Sequence, residues 1–147
     1  MTRRYGDPVR RGQRYGHRPG VYAILLRGRD LLATFQAQPR AEIQLPGGGV
    51  DPGEAPLRAL HREVMEETGW RIAAPRRVGV FRRFTFMPEY DRWAEKVCTI
   101  YTARPVRPLA PPSEPGHTAL WLPAAQAVEL MGNDGDRAFL LQVLRGL

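Results

Sequence analysis

Cysteine and long apolar runs are nearly missing from this chain of 147 residues. Its one cysteine, Cys98, rules out an internal disulfide and a metal site built from several cysteines. No apolar run approaches the roughly 18 residues of a membrane span, and the first residues lack the apolar core of a secretory signal. We therefore expect a cytoplasmic protein with no membrane partner. Apolar residues make up 43% and charged residues 25% of the chain, which fits one globular domain.

The net charge of +7 is concentrated in the first nineteen residues. This segment holds six arginines and one aspartate, so residues 20–147 are close to neutral. We predict a basic N-terminal arm over residues 1–19, followed by one folded domain over residues 20–147. The arm is interpreted either as a flexible or draped, solvated segment or as a contact for polyphosphate or RNA, because arginine forks match phosphate oxygens.

Hydrophobic patterning after the arm predicts strands mixed with a few helices, which indicates the α/β class. The first two strands are separated by a tight turn and should form a hairpin. Strands are expected at residues 21–26, 31–36, 41–45, 77–87, 94–103 and 120–122, helices at 54–68, 123–131 and 134–146, and a loop with five prolines at 104–117.

Three carboxylates are spaced to share one side of the first predicted helix. At 100° per residue, Glu63, Glu66 and Glu67 fall within an arc of about 100°. Like charges at these spacings repel one another, so a compensating cation is expected. Hard divalent cations such as Mg²⁺ prefer oxygen ligands and suit this cluster. The arc lies beside an apolar stripe formed by Leu57, Leu60 and Val64.

Three consecutive glycines, Gly47, Gly48 and Gly49, precede this helix. They permit close approach of the backbone to a ligand, and backbone amides near a helix start favour anions. Carboxylates that hold a metal beside such a loop predict a site for hydrolysis of a diphosphate.

The complete spacing of residues 48–70 resembles the Nudix box, G-x5-E-x7-R-E-U-x-E-E-x-G-U with U apolar. Trp70 is bulkier than the aliphatic residue usual at the last position. With the flanking strands, the resemblance extends over most of residues 20–147. The positions that match the pattern are Gly48, Glu54, Arg62, Glu63, Val64, Glu66, Glu67, Gly69 and Trp70.

The resemblance implies an α/β/α sandwich around a mixed sheet and hydrolysis of a nucleoside diphosphate linked to another group, with Mg²⁺ or Mn²⁺. It implies Glu63, Glu66 and Glu67 as metal ligands, joined by the carbonyl of Gly47 or Gly48. Arg62 would orient a carboxylate, and Glu54 would support the loop or a metal-bound water. The general base is open: Glu114 lies in the loop before the last strand, where related proteins often carry it, and Glu89, Glu95 and Glu63 are the alternatives.

Substrate contacts are assigned to the glycine loop, through Gly48 and Gly49, and to two side chains farther along the chain. Phe86 could stack a base, although its alternation with Phe84 also fits the core. Asn133 and Asp134 resemble residues that read a base edge in MutT-like members, and a helix N-cap is the alternative for Asn133. Cys98 is expected in the core. No two of the three histidines, His17, His61 and His117, share metal-ligand spacing.

The predicted substrates are ADP-ribose, another nucleotide sugar, or a nucleoside triphosphate, including an oxidised one. Alternatives are a dinucleoside polyphosphate or an RNA 5′ end. RNA 5′-end pyrophosphohydrolases usually carry a Gln between the proline and the paired glycines, and this chain does not. A non-catalytic module that binds nucleotides or RNA is a further alternative, although such modules typically have degenerate boxes. Many relatives pair to complete their pocket, so a homodimer is also expected from the resemblance.

Overall fold

The hairpin predicted near the start of the domain forms the centre of the sheet. The computed structural model describes residues 2–38 and 40–147, and in it β2 and β3 pair antiparallel around the turn after Arg27. The strands are β1 (Arg3–Gly6), β2 (Gly16–Arg27), β3 (Asp30–Gln36), β4 (Glu42–Gln44), β5 (Gly47–Gly49), β6 (Trp70–Met87), β7 (Arg92–Pro108) and β8 (His117–Pro123). The helices are α1 (Pro56–Thr68), α2 (Ala124–Leu130) and α3 (Asp134–Arg145), with a 3₁₀ turn at Pro88–Tyr90.

The described residues form one mixed sheet in the order β1-β6-β7-β2-β3-β4, with β5 paired to β2 and β8 paired to β3. The pairs β1–β6 and β2–β7 are parallel, and the other pairs are antiparallel. Because β5 pairs with β2, it fixes the glycine loop against the middle of the sheet. The site described below is built at this point.

Alternation along β2 divides the core between the two faces of the sheet, because successive side chains in a strand point to opposite faces. Val21, Ala23 and Leu25 pack with Leu60 and Val64 of α1. Ile24 packs on the opposite face with residues of α2 and α3, such as Ala127 and Leu140. Helices therefore cover both faces, and the predicted α/β/α sandwich is confirmed.

The first nineteen residues differ from a flexible arm, because much of the segment belongs to the sheet. Arg3–Gly6 pairs with β6, and residues 16–19 pair with β7 as the start of β2. The Tyr5 ring packs edge-on against Phe81, with centroids 5.4 Å apart. Parts of the predicted N-terminal arm are therefore paired into the same sheet as the domain that follows it.

Several predicted bounds are also corrected. Strands β6 and β7 extend well beyond residues 77–87 and 94–103, and β7 takes the first part of the expected proline loop. Leu57 was expected on the apolar stripe, but it lies in the first turn of α1 and is 45% exposed. Among the described residues, no helix has the length and apolar character needed to cross a membrane.

Candidate functional site

Helix α1 carries the carboxylates, and its two ends are set by residues suited to those positions. Pro56 starts the helix, where a missing N–H costs nothing. Gly69 ends it in the left-handed conformation, with φ of 75°. Leu60 and Val64 are buried against the sheet, which turns the neighbouring Glu67 toward the glycine loop.

Glu67 is a buried carboxylate with one fixed oxygen. It is 5% exposed, and its Oε1 accepts a hydrogen bond of 3.0 Å from the Gly47 amide. Burial raises the pKa of Glu67 to about 9, and nearby carboxylates, Glu114 first, add to the rise. The buried surroundings therefore favour the protonated form of this carboxyl when no metal is bound.

Arg62 orders the other carboxylates of the helix and the loop before it. Its guanidinium donates to both oxygens of Glu54, at 2.8 Å each, and to Glu63 Oε1 at 2.9 Å. It also contacts Glu66 at 3.3 Å and the Gly49 carbonyl at 3.1 Å. These bonds hold the pKa of Glu54 at about 2. One cation therefore aligns three carboxylates and ties the glycine loop to α1.

The glycine loop approaches the carboxylates too closely for larger residues. A Cβ at Gly48 would lie 2.4 Å from Glu63 Oε2. A Cβ at Gly47, where φ is +153°, would lie 2.1 Å from the Val21 carbonyl oxygen. Gly47 therefore permits the pairing of β5 with β2, and Gly48 leaves room for the Glu63 carboxylate.

The loop between β7 and β8 is fastened to the end of α1 by backbone hydrogen bonds. The amides of Ser113 and Glu114 donate to the Glu66 carbonyl at 2.8 and 3.0 Å. The Leu109 amide donates to the Gly69 carbonyl at 2.8 Å. These bonds satisfy carbonyls that a helix end leaves without partners and bring the Glu114 carboxylate beside Glu63 and Glu66.

His117, the first residue of β8, lies between two carboxylates. Its side chain is 8% exposed, with Nδ1 3.6 Å from Glu67 Oε2 and Nε2 3.9 Å from Glu114 Oε1. Within residues 2–38 and 40–147, neither His117 Nδ1 nor Glu114 Oε2 has a hydrogen-bond partner. Sequence analysis did not place this histidine in the site.

A cavity of 290 Å³ opens beside the carboxylates. Glu67, Glu114 and His117 line one part of it, and the basic residues Arg18, Arg83 and Lys96 line another. Burial lowers the pKa of Lys96, and Arg83 lowers it further. The cavity thus combines anionic groups suited to cations with cationic groups suited to phosphate.

Asp136 in the first turn of α3 lines the same cavity and is 4% exposed. Burial raises the pKa of Asp136 to about 7, which a backbone hydrogen bond from Leu45 and the charge of Arg83 partly offset. Asp134, which sequence analysis named, is instead paired with Arg137 at the surface. The neighbouring Asn133 lines the cavity and also caps α3, accepting from the amides of Gly135 and Asp136 at 2.8 and 3.3 Å.

The other predicted residues are distributed around the cavity. Gly48, Gly49 and Glu89 line it, and Phe86 lies in an adjoining cleft of 610 Å³. Phe86 is 39% exposed and packs on Trp93 with ring centroids 5.5 Å apart. Glu95 forms an ion pair with Arg82 at 3.4 Å. Cys98 is buried, and burial raises the pKa of its thiol to about 12, so it is poorly suited to act as a nucleophile.

The family of the chain follows from this architecture and from a direct comparison. The model of the NUDIX domain matches residues 16–143, which is most of the chain. This chain therefore belongs to the Nudix family.

Two named relatives match over shorter segments. A candidate 8-oxo-dGTP diphosphatase of Bacillus subtilis (strain 168) is 36% identical over 70 residues, which cover 48% of this chain and 47% of that protein. An RNA pyrophosphohydrolase of Francisella philomiragia is 43% identical over 56 residues, which cover 38% of this chain and 36% of that protein. The matched segments thus span less than half the length of each relative.

Solved structures agree with the fold. A Nudix hydrolase from Nitrosomonas europaea superimposes with a TM-score of 0.72 and 18% identity, covering 88% of this chain and 89% of that one. A MutT protein from Bacillus halodurans gives a TM-score of 0.71 and 23% identity, with coverage of 86% and 82%. At these identities the likeness establishes the α/β architecture alone.

Proposed function

We propose that this protein is a divalent-metal-dependent pyrophosphohydrolase that cleaves the diphosphate of a nucleotide derivative. The observation that carries the proposal is the set of four carboxylates held in place on α1 and the loop before it, of which Glu67 lines the cavity. Arg62 orders Glu54, Glu63 and Glu66, and the Gly47 amide orders Glu67. These hydrogen bonds keep the four carboxylates close together. Arg62 supplies a positive charge to three of them, whereas Glu67 is held by a neutral backbone amide.

The metal in this proposal is Mg²⁺ or Mn²⁺, held by Glu63, Glu66, Glu67 and the Gly47 carbonyl. Ligand oxygens of Glu63, Glu66 and Glu114 lie within 4.8 Å of one another, which suits a hard cation, whereas Glu67 lies within that distance of Glu114 and His117. The structure thus supports Glu63 and Glu66 as a pair and adds Glu114 between that pair and Glu67. A bound divalent ion would neutralise phosphate charge and lower the pKa of an attacking water. Arg62 keeps the carboxylates aligned for that role, and Glu54 keeps Arg62 in position.

Glu114 is our choice for the group that takes the proton from the attacking water. Its Oε2 has no partner among the described residues, and its backbone is anchored to α1. Glu89 also lines the cavity and is the alternative, as is Glu63, whereas Glu95 is engaged by Arg82. Comparison of Glu114→Gln with Glu89→Gln tests the choice, because the variant that lacks the base should lose far more turnover than the other does.

The substrate in this proposal is a nucleoside triphosphate, an oxidised one included, or a nucleotide sugar such as ADP-ribose. Its phosphates would meet the glycine loop at Gly48 and Gly49. The remainder would extend toward Asn133 and toward Phe86 in the adjoining cleft, which shares lining residues with the cavity. The names of the two sequence relatives support testing both an oxidised deoxynucleotide and a triphosphorylated RNA.

An RNA 5′ end is the second candidate, since Arg18 of the N-terminal segment lines the cavity. Arg18 also lies over the Tyr90 ring, 4.8 Å from its centroid, so the segment is held near the entrance. Arg18→Gln should weaken use of triphosphorylated RNA much more than use of a free nucleotide if RNA is the substrate.

The decisive experiment is a substrate panel with Mg²⁺ or Mn²⁺, scored by release of phosphate and nucleotide. It contains ADP-ribose, the deoxynucleoside triphosphates with oxidised dGTP, diadenosine polyphosphates and triphosphorylated RNA. Turnover of one of these that disappears in Glu67→Gln supports the proposal. Nucleotide binding without turnover of any substrate would contradict it and favour a non-catalytic module.

A further inference from the structure

A group of side chains beside the box carboxylates joins two oxygen donors to a nitrogen donor. Ligand atoms of Glu67, Glu114 and His117 all lie within 4.8 Å of one another. Glu67 comes from α1, while Glu114 and His117 come from the loop before β8 and from its first residue. Folding therefore brings together residues that are widely separated along the chain.

The distances within this group are unsuited to hydrogen bonds. His117 Nδ1 and Glu67 Oε2 are 3.6 Å apart, and His117 Nε2 and Glu114 Oε1 are 3.9 Å apart. A separation of 3.6 Å is too long for a hydrogen bond. A single ion takes one nitrogen of an imidazole, so only one of these two contacts can belong to a metal site. Nδ1, which faces Glu67 Oε2, is the nitrogen assigned to it. Neighbouring donors on one metal ion, with bonds of about 2.0–2.2 Å, lie roughly 3.0–3.5 Å apart. The ligand atoms of the three residues lie within 4.8 Å of one another, so the side chains must move inward to bind one ion.

Burial supplies the second argument for a ligand. The His117 side chain is 8% exposed, yet its Nδ1 has no hydrogen-bond partner in the described part of the chain. A buried polar atom without a partner is costly, and each such atom calls for a ligand or another explanation. Nδ1 faces Glu67 Oε2, the oxygen that the Gly47 amide leaves free.

We propose that Glu67, Glu114 and His117 form a mixed nitrogen and oxygen site for a borderline divalent transition metal such as Zn²⁺ or Co²⁺. Imidazole is a preferred ligand of these ions, whereas Mg²⁺ prefers oxygen ligands alone. The site shares Glu67 with the carboxylate set of the proposed function and rests on that proposal. A carboxylate has two oxygens, so Glu114 can bind a metal through one and still accept a proton on the other.

The inference makes His117 the residue that distinguishes between metals. Loss of the imidazole should weaken a transition metal and leave Mg²⁺ on its oxygen ligands. In metal titrations of the tag-free protein by calorimetry, His117→Gln should raise the Kd of Zn²⁺ by about tenfold or more. The Kd of Mg²⁺ should change by less than about threefold. His61→Gln is the matched control, because His61 is exposed on α1.

Equal Zn²⁺ affinity in the wild type and His117→Gln would overturn the proposal, as would an equal loss of Mg²⁺ affinity. A second measurement needs only the wild-type fold. In nitrogen-15 spectra of the histidine side chains, Zn²⁺ should shift one ring nitrogen of His117 far more than Mg²⁺ does, because only Zn²⁺ would bind that nitrogen. Absence of that Zn²⁺ shift would also overturn the inference. Hydrolysis with Mg²⁺ tests the proposed function separately, so failure of the transition-metal site can be told from failure of the proposed function.

Discussion

The amide of Gly47 and the buried carboxylate of Glu67 are joined by a hydrogen bond of 3.0 Å. The bond places a strand residue and a helix residue in one unit, although twenty positions separate them along the chain. It also fixes which oxygen of Glu67 remains free for a ligand. The predictions below follow from this arrangement and from its neighbours.

Glu67→Gln should abolish most turnover and preserve the fold. Glutamine keeps an oxygen that can accept from Gly47 but removes the charge that a metal needs, so turnover should fall by about 10²-fold or more. Because the pKa of Glu67 is raised to about 9, its protonated form is favoured when no metal is bound, and glutamine resembles that neutral form. The free energy of unfolding without metal should therefore be unchanged or higher, as measured by urea denaturation.

Glu67→Ala is the informative contrast to that variant. It leaves the buried Gly47 amide without its acceptor, which should cost about 1–3 kcal/mol of stability. Wild-type turnover in Glu67→Gln, or equal stability of the glutamine and alanine variants, would contradict the role given to this carboxylate.

Arg62→Lys should separate alignment of the carboxylates from overall charge. A lysine ammonium cannot reproduce the fork that binds both Glu54 oxygens and also reaches Glu63 and Gly49. Turnover should fall by about 10- to 100-fold, because hydrogen bonds that orient metal-binding carboxylates typically matter to that extent. The measurement is turnover against metal concentration, with the exposed Arg58→Lys as the control. Equal activity of the two variants would show that Arg62 acts only as a charge.

Gly48→Ala should impair catalysis more than stability. Its Cβ would meet the Glu63 carboxylate, which is the end of a flexible side chain and can move aside. Gly47→Ala should instead destabilise the fold, because its Cβ would meet the backbone of β2. Thermal denaturation and turnover of both variants test the contrast. Gly16→Ala is the control, since its Cβ would lie 3.9 Å from the Trp93 carbonyl oxygen. Loss of stability in Gly48→Ala equal to that in Gly47→Ala would contradict this interpretation.

Asp136→Asn should change how stability depends on pH. The pKa of Asp136 is raised from 3.8 to about 7, so the folded state binds its proton more tightly than the unfolded state does. This protonation stabilises the fold fully below about pH 4, and the contribution declines as pH rises and is lost above about pH 7. The difference in unfolding free energy between wild type and Asp136→Asn should therefore shift by about 2–3 kcal/mol between pH 5 and pH 8.

That measurement uses urea denaturation of the metal-free protein at several pH values. Asp134→Asn is the matched control, because Asp134 lies in the same turn with a side chain 72% exposed. If the difference in unfolding free energy between wild type and Asp136→Asn stays constant over this pH range, Asp136 is charged in the folded protein at every pH measured.

The local patterns of the chain were predicted well because they depend on periodicity. The apolar run over residues 21–26 predicted a strand, and β2 lies there, buried between two helical layers. The 3.6-residue repeat predicted one side of α1 for Glu63, Glu66 and Glu67, and their oxygens lie in two groups that share Glu114. Periodicity shows which side of a helix faces the core but not how deeply each residue is buried, so the exposure of Leu57 in the first turn was not predicted. It also gave no sign of β1, whose four residues are mostly exposed and polar.

The rest of the site arises from pairing between distant segments. His117 enters because β8 pairs with β3, where it lies opposite Gln36. Asp136 faces the cavity because α3 packs on the sheet, while the more conspicuous Asp134 points to solvent. No spacing in the sequence marks either residue. The bulky Trp70 at the end of the box has a similar explanation: its ring packs on Trp121 of β8, 5.4 Å between centroids.

The backbone bonds between the β7–β8 loop and α1 also determine where proline can occur in this loop. The residues that donate their amides to α1 and Gly69 are Leu109, Ala110, Ser113 and Glu114, while Pro111, Pro112 and Pro115 occupy the positions between and after them. Proline has no N–H to donate, so the prolines of this loop stand at positions whose amides are not needed for these hydrogen bonds. Because main-chain atoms form the anchors, the side chains of Leu109, Ala110 and Ser113 can vary while the backbone of Glu114 stays in place. A proline at residue 113 or 114 would be the change that such divergence excludes.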